Sequence, residues 1–330
     1  MKRGGFVMKM RKNTYLKNEN DLQLFITYLK HGYSLQETII YFPNIAKKLD
    51  ESFIKGESFE AIIYECLPKY LQNDFKLFLK VLPLELAIEA AMKRKSIHRI
   101  LLKDFRNKCA YPLFLFIFAF SLLQLFSRIV VPLMLSSFTM IDTNHMIYFV
   151  YGMDILCTLI LIVSFIMMMI CILCINANIR KFIILKGAKH IKIIRVYISL
   201  MLATYMIPFV SKGLSTIDIF LHMQECESLW MKYIASKIHE YLLEGHSYQN
   251  VYRLMNCFDN DWQQCVQRGI ALANLEAMIQ FYLDLAQKKL INAMRKLTIV
   301  IQVSAYLFIA MLVLFVFQIM LLPLSILETI

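Results

Sequence analysis

Two hydrophobic patterns alternate along the chain. Three stretches, Pro112 to Leu135, Met146 to Ile175 and Ile299 to Leu322, are apolar almost without interruption. Each reaches the roughly 20 residues needed to cross about 30 Å of hydrocarbon, where only a helix satisfies its own backbone. Elsewhere apolar residues recur at helical spacing: Leu22, Phe25, Ile26 and Leu29 fall at i, i+3, i+4 and i+7, as do Ala203, Met206, Ile207 and Val210. Neither half alternates as strands do. The pattern predicts an all-α polytopic membrane protein with three transmembrane helices and two homologous cytoplasmic antiparallel helix bundles. A further apolar stretch, Val196 to Val210, is shorter and holds Pro208. Placing it in lipid would carry the basic residues from Lys212 to Lys296 across the bilayer, so it is expected as a core helix of the second bundle.

The bundles show a duplication. Of nine glycines, four open the same tripeptide: Gly32-Tyr-Ser34, Gly56-Glu-Ser58, Gly213-Leu-Ser215 and Gly245-His-Ser247. A glycine just past a helix end can take the left-handed conformation that closes it, and a serine two residues later can cap the next helix. Each tripeptide therefore reads as the corner of a helical hairpin. The flanks agree: the Leu22 group matches the Ala203 group at an offset of 181, and Phe59, Ile62, Ile63 and Cys66 match Tyr248, Val251, Tyr252 and Met255 at an offset of 189. The expected organisation is bundle 1 over residues 1–108, two spans joined by a short outer hairpin over 109–176, bundle 2 over 177–298, and a third span with a short tail over 299–330.

Charge supplies the orientation. Residues 1–108 hold 20 Lys and Arg and 176–298 hold 15, whereas Ser136 to His145 and the tail after Leu322 hold none. The positive-inside rule puts both long segments, of net charge +8 and +6, in the cytoplasm, with the C-terminus outside the cell membrane. An apolar fraction of 58% and a mean hydropathy of +0.55 are too high for an ordinary soluble fold. The first twenty residues are basic and lack the apolar run of a cleavable secretory signal, so the N-terminus is expected to remain cytoplasmic.

The chemistry is sparse. No Gly-x-Gly or phosphate-cradling Gly-rich loop is present, the seven histidines are scattered, and no nucleophile elbow occurs. No catalytic, cofactor or metal residues are therefore assigned, and the chain is read as a non-enzyme. His222 and Glu225 share a helix face, a spacing more often seen in a surface pair than in a metal site. Cys157, Cys171 and Cys174 lie in an apolar run and read as small buried hydrophobes, not as a disulfide framework. Two ionisable residues fall inside the spans. Arg128 lies two turns before the outer end of the first span and Asp154 two turns into the second; antiparallel neighbours would bring them to similar depth, and intramembrane charges pair. An Arg128–Asp154 interaction is expected.

These features together carry a resemblance. A basic bundle with Gly-x-Ser corners, a span opening with Ala110-Tyr111-Pro112 and closing in Val130-Val131-Pro132, a short outer hairpin, a second bundle with the same corners and a last span ending near Pro323 resemble the F-type inner-membrane protein of type II secretion systems and type IV pili. The reduced soluble segments and Lys/Ile-rich composition are most similar to the Gram-positive competence version. Relatives usually carry a Gly-Glu pair late in each bundle; here Leu82-Pro83-Leu84-Glu85 and Arg268-Gly269-Ile270-Ala271 stand there, so no acidic or metal site is carried over. The resemblance implies a platform without catalysis. It would dock a hexameric secretion ATPase, receive pilin-like subunits, assemble as a homo-oligomer, and support DNA uptake without binding nucleic acid itself. The competing reading is a transporter or ion-channel subunit with Arg128 and Asp154 lining the path.

Overall fold

The computed structural model describes residues 19–34, 37–38, 41–42, 58–125, 128–129, 132–133, 155, 158 and 177–327. The described residues form helices and connecting turns, without strands: α1 (Glu19–Lys30), α2 (Phe59–Cys66), α3 (Lys69–Leu79), α4 (Leu84–Leu125), α5 (Ala177–His190), α6 (Lys192–Val210), α7 (Thr216–Met223), α8 (Leu229–Leu243), α9 (Tyr248–Met255), α10 (Asn260–Ala271) and α11 (Leu275–Leu327).

The chain divides into two compact units. The first gathers Met1–His98 and Ile198–Asp284, so the segments expected as separate bundles contribute to one unit. Its centre is α6, where Ile198, Leu200, Met201, Leu202, Ala203, Tyr205, Met206 and Phe209 are all buried. Phe78 of α3 packs on Phe209 with ring centroids 5.6 Å apart and on Tyr205 at 6.1 Å. On the other side Tyr252, Phe258, Trp262 and Tyr282 form an edge-to-face cluster at 5.0 to 5.7 Å. Aromatic burial of this kind is a large apolar contribution with a preferred geometry. It explains why the two repeat segments share a core: each short amphipathic helix needs a partner for its apolar stripe.

The second unit gathers Arg99–Tyr197 and Leu285–Ile330. Here large apolar side chains point outward: Tyr111, Phe114, Ile117 and Phe118 on α4, and Val300, Val303, Leu307 and Leu314 on α11. Such a surface requires an apolar medium or partner. Helices α4 and α11 run unbroken through residues 108 and 298, the expected domain limits. The physical reason is composition: neither Gly nor Pro occurs between Pro83 and Pro112, or between Leu275 and Pro323, and the Lys, Arg, Leu, Ala and Met that fill these stretches are strong helix formers.

Among the described residues two helices are long and apolar enough to cross a bilayer. In α6, 61% of the most apolar window is buried within the protein; in the part of α11 from Leu275 to Ala310 the share is 11%. That difference assigns α6 to the protein core and leaves α11 as the lipid-compatible helix.

Candidate functional site

Helices α3, α4 and α6 meet at a buried charged centre in the first unit. Asp74 of α3 is 5% exposed. An Arg94 nitrogen from α4 lies 3.0 Å from Asp74 Oδ1, and Lys95 Nζ lies 3.4 Å from Oδ2. The Arg94 guanidinium also sits over the Tyr205 ring of α6, 4.2 Å from its centroid, and donates to the Tyr205 hydroxyl. That hydroxyl in turn donates to Asp74 Oδ1 at 3.3 Å. Burial pushes the Tyr205 hydroxyl well above its ordinary range and the neighbouring Cys226 thiol up to about 12, so both stay protonated. A paired carboxylate beside two groups held neutral offers neither an activated nucleophile nor a poised base; it ties three helices together. Sequence periodicity passes over Asp74 and Arg94, because each looks like one more charge on a polar face. The available signal is that Asp74 falls between Leu71 and Phe75 on the apolar stripe of α3.

The glycine corners share one geometry. Gly32, Gly213 and Gly245 have φ of +83°, +73° and +86°. At each, the glycine N–H donates to the carbonyl three residues back and the next N–H to the carbonyl five back: Gly32 to Leu29 and Tyr33 to Tyr28, Gly213 to Val210 and Leu214 to Phe209, Gly245 to Leu242 and His246 to Tyr241. This is the paired closure of a left-handed helix end. Nothing lies within 4 Å of where a Cβ would stand, so backbone conformation and not space selects glycine.

The serines follow. Ser34 accepts from the Glu37 N–H at 3.2 Å while its own N–H donates to Glu37 Oε2 at 2.7 Å, a reciprocal box. That hydrogen bond from the Ser34 backbone holds the Glu37 carboxyl below its ordinary range. Ser58 accepts from the Ala61 N–H at 3.4 Å and Ser215 from the Asp218 N–H at 3.2 Å. Ser247 precedes α9 without a side-chain cap bond. Gly56 lies outside the described residues.

A corner without the tripeptide closes α10. Ala273, with φ of +49°, donates to Ile270 O, Asn274 donates to Gly269 O, and Asn274 Oδ1 accepts from the Ala277 N–H at 3.2 Å. Alanine stands where glycine stands elsewhere, and asparagine replaces serine as the cap. The signal in the sequence is Ala273-Asn274 after Gly269.

Of the two residues expected to pair within the membrane, Arg128 is exposed and Asp154 lies outside the described residues. His222 stacks on Phe209 at 6.1 Å, and Glu225 pairs with Lys80 at the surface. Among the described residues no three His, Cys, Asp or Glu side chains gather as a metal ion would need.

The family model for type II secretion system protein F matches residues 202–323. The match opens within α6, takes in the Gly213 and Gly245 corners, the aromatic cluster and the Ala273 corner, and closes in the apolar end of α11. No curated protein matches the chain.

Proposed function

We propose that this chain is the membrane platform of a type II secretion-like or type IV pilus-like machine. The observation that carries the reading is the F-type match at residues 202–323, in which a buried helical core and an outward-apolar α11 are one piece of polypeptide. A platform needs that combination: a folded surface for a cytoplasmic motor and an anchor in the bilayer that the motor can work against. The partners proposed are a hexameric secretion ATPase, pilin-like subunits and further copies of the chain. The machine is proposed to be a competence pseudopilus that supports DNA uptake, and the chain itself performs no catalysis.

Deleting the gene and restoring it in trans tests this. Loss of surface filaments and of DNA uptake, with recovery on restoration, is expected. Cross-linking from introduced benzophenone residues on the first unit is expected to capture the ATPase. Intact filaments in the deletion strain, or an ion conductance specific to the reconstituted chain, would overturn the platform reading.

A further inference from the structure

We infer that α5 and its turn into α6 form a binding surface for anionic lipid headgroups. The first observation is a charge bias. Between Ile155 and Ile217 the chain has no Asp or Glu, while it holds Arg180, Lys181, Lys186, Lys189, Lys192, Arg195 and Lys212. No acid within this stretch can neutralise its own cations.

The second observation is where those cations stand. Lys186, Lys189, His190 and Lys192 are exposed, and interleaved with them are Phe182, Ile191 and Ile193, exposed by 62%, 49% and 49%. Lys186 Nζ lies 5.3 Å from the centroid of the Phe182 ring. On α11 the exposed Lys288, Arg295 and Lys296 precede the exposed apolar run of Leu297, Ile299, Val300 and Val303, as a span with a basic flank requires. On α5 basic and apolar residues are mixed on one side, the arrangement of a segment lying in the headgroup region, where lysines reach up to phosphate and an aromatic ring reaches down to acyl chain.

The third observation is a short junction. Helix α5 passes into α6 through Ile191 alone, with the Ile191 N–H donating to Gly187 O at 2.8 Å. That junction sets the exposed Lys186, Lys189 and Lys192 beside Ile191 and Ile193. Clustered basic residues next to a membrane segment gain roughly fivefold in affinity per Lys or Arg on an anionic surface. The exposed ring and isoleucines favour a lipid over a soluble polyanion, which would leave them in water. The inference rests on the membrane placement of the chain and not on its role in secretion.

The test uses the full chain in nanodiscs of phosphatidylcholine, with or without phosphatidylglycerol, and the variant Phe182→Trp against the buried Trp230 and Trp262. Brominated phosphatidylglycerol is expected to quench the introduced indole at least about fivefold more effectively than brominated phosphatidylcholine. Raising salt to about 0.5 M should remove most of that preference. Adding Lys186→Gln, Lys189→Gln and Lys192→Gln should reduce it to near unity while the Trp262 emission stays unchanged. Equal quenching by both lipids, or an undiminished preference in the triple variant, would overturn the inference. Binding of soluble polyglutamate without lipid preference would also overturn it and assign an acidic protein partner. A strain that lacks filaments only for other reasons leaves these readouts untouched, so the two proposals fail separately.

Discussion

Helices α6 and α11 are the two most membrane-like helices among those described, yet they solve opposite problems. The mean hydropathy of the α6 window is 1.8 and that of the α11 window 1.4, so the more apolar of the two is the one buried in protein. Hydropathy measures what a helix avoids; its polar atoms show what it touches. On α6 two of them reach other helices, Ser199 Oγ accepting from the Asp259 N–H at 2.9 Å and Tyr205 joining the Asp74–Arg94 centre, while Thr204 Oγ1 donates back to Met201 O at 2.7 Å. On α11 the Tyr282 hydroxyl, near the start, donates to Asp259 Oδ2 at 3.5 Å, but in the outward-apolar part the exposed Ser304 Oγ turns back on its own helix and donates to Ile301 O at 2.8 Å. A helix facing lipid has no other way to satisfy a hydroxyl.

The sharpest way to break this contrast is to remove the charge that α6 helps to bury. Asp74→Ala would leave Arg94 and Lys95 facing one another without a counter-ion, and loss of one member of a buried pair costs about 3 kcal/mol or more. Urea unfolding followed by Trp262 emission should show the loss. Arg94→Met together with Asp74→Leu should recover most of it, since two apolar groups leave no buried charge behind. Arg128→Gln, at an exposed position of the second unit, should leave the same transition unmoved.

Alkaline pH should also separate the regions. The thiols of Cys226 and Cys257 are pushed by burial from an ordinary 9.0 up to about 12. Below pH 9 both are protonated whether the chain is folded or not, and their contribution is fully present. Between 9 and about 12 they ionise only in the unfolded chain, which then binds fewer protons than the fold. Stability therefore falls as pH rises, by an amount approaching about 1.4 kcal/mol per pH unit for each thiol. Unfolding midpoints at pH 8 and 10 check this, and Cys226→Ala should reduce the fall by about a third, since the buried hydroxyls of Tyr205, Tyr248, Tyr252 and Tyr282 are raised in the same way and add to it. A pH-independent midpoint would mean that these thiols are accessible in the fold.

The corners allow a reciprocal test within the first unit. Gly213→Ala puts a Cβ on a backbone at φ +73° and should cost about 1 kcal/mol. Ala273→Gly removes a Cβ from φ +49° and should restore stability by somewhat under about 1 kcal/mol, because glycine also gains freedom in the unfolded chain. Opposite shifts in the thermal midpoint are expected; shifts of the same sign would mean that the four corners do not share one geometry.

How much of this is legible in sequence depends on the range of the interaction. The turns at Gly32, Gly213 and Gly245 are written locally, because left-handed closure and a serine cap involve only residues a few places apart. The α10 corner is equally local but uses Ala273 and Asn274, so a search keyed to glycine and serine passes over it. Long helices α4 and α11 are legible as apolar stretches but not in their continuity across residues 108 and 298, where the absence of a breaker, and not a signal, carries the helix on. Of the Asp74–Arg94–Tyr205 centre only the place of Asp74 on the apolar stripe of α3 is legible: successive members lie 20 and 111 residues apart along the chain, and nothing local says which groups meet.

The smallest effect sharpens that last point. Lys80 and Glu225 also join the two repeat segments, and the hydrogen bond from Lys80 lowers the Glu225 carboxyl below its ordinary range. On paper the pair resembles Asp74 and Arg94, with opposite charges from distant parts of the chain in contact. Yet the side chains of Lys80 and Glu225 are 40% and 53% exposed, so water and salt screen the attraction and holding two long side chains costs entropy. Glu225→Gln should therefore shift stability by less than about 0.5 kcal/mol, and by less still in high salt, in the unfolding assay that registers Asp74→Ala as a large loss. A cost near that of Asp74→Ala would show that the contact is closed off from solvent, and burial would no longer be what distinguishes the two pairs.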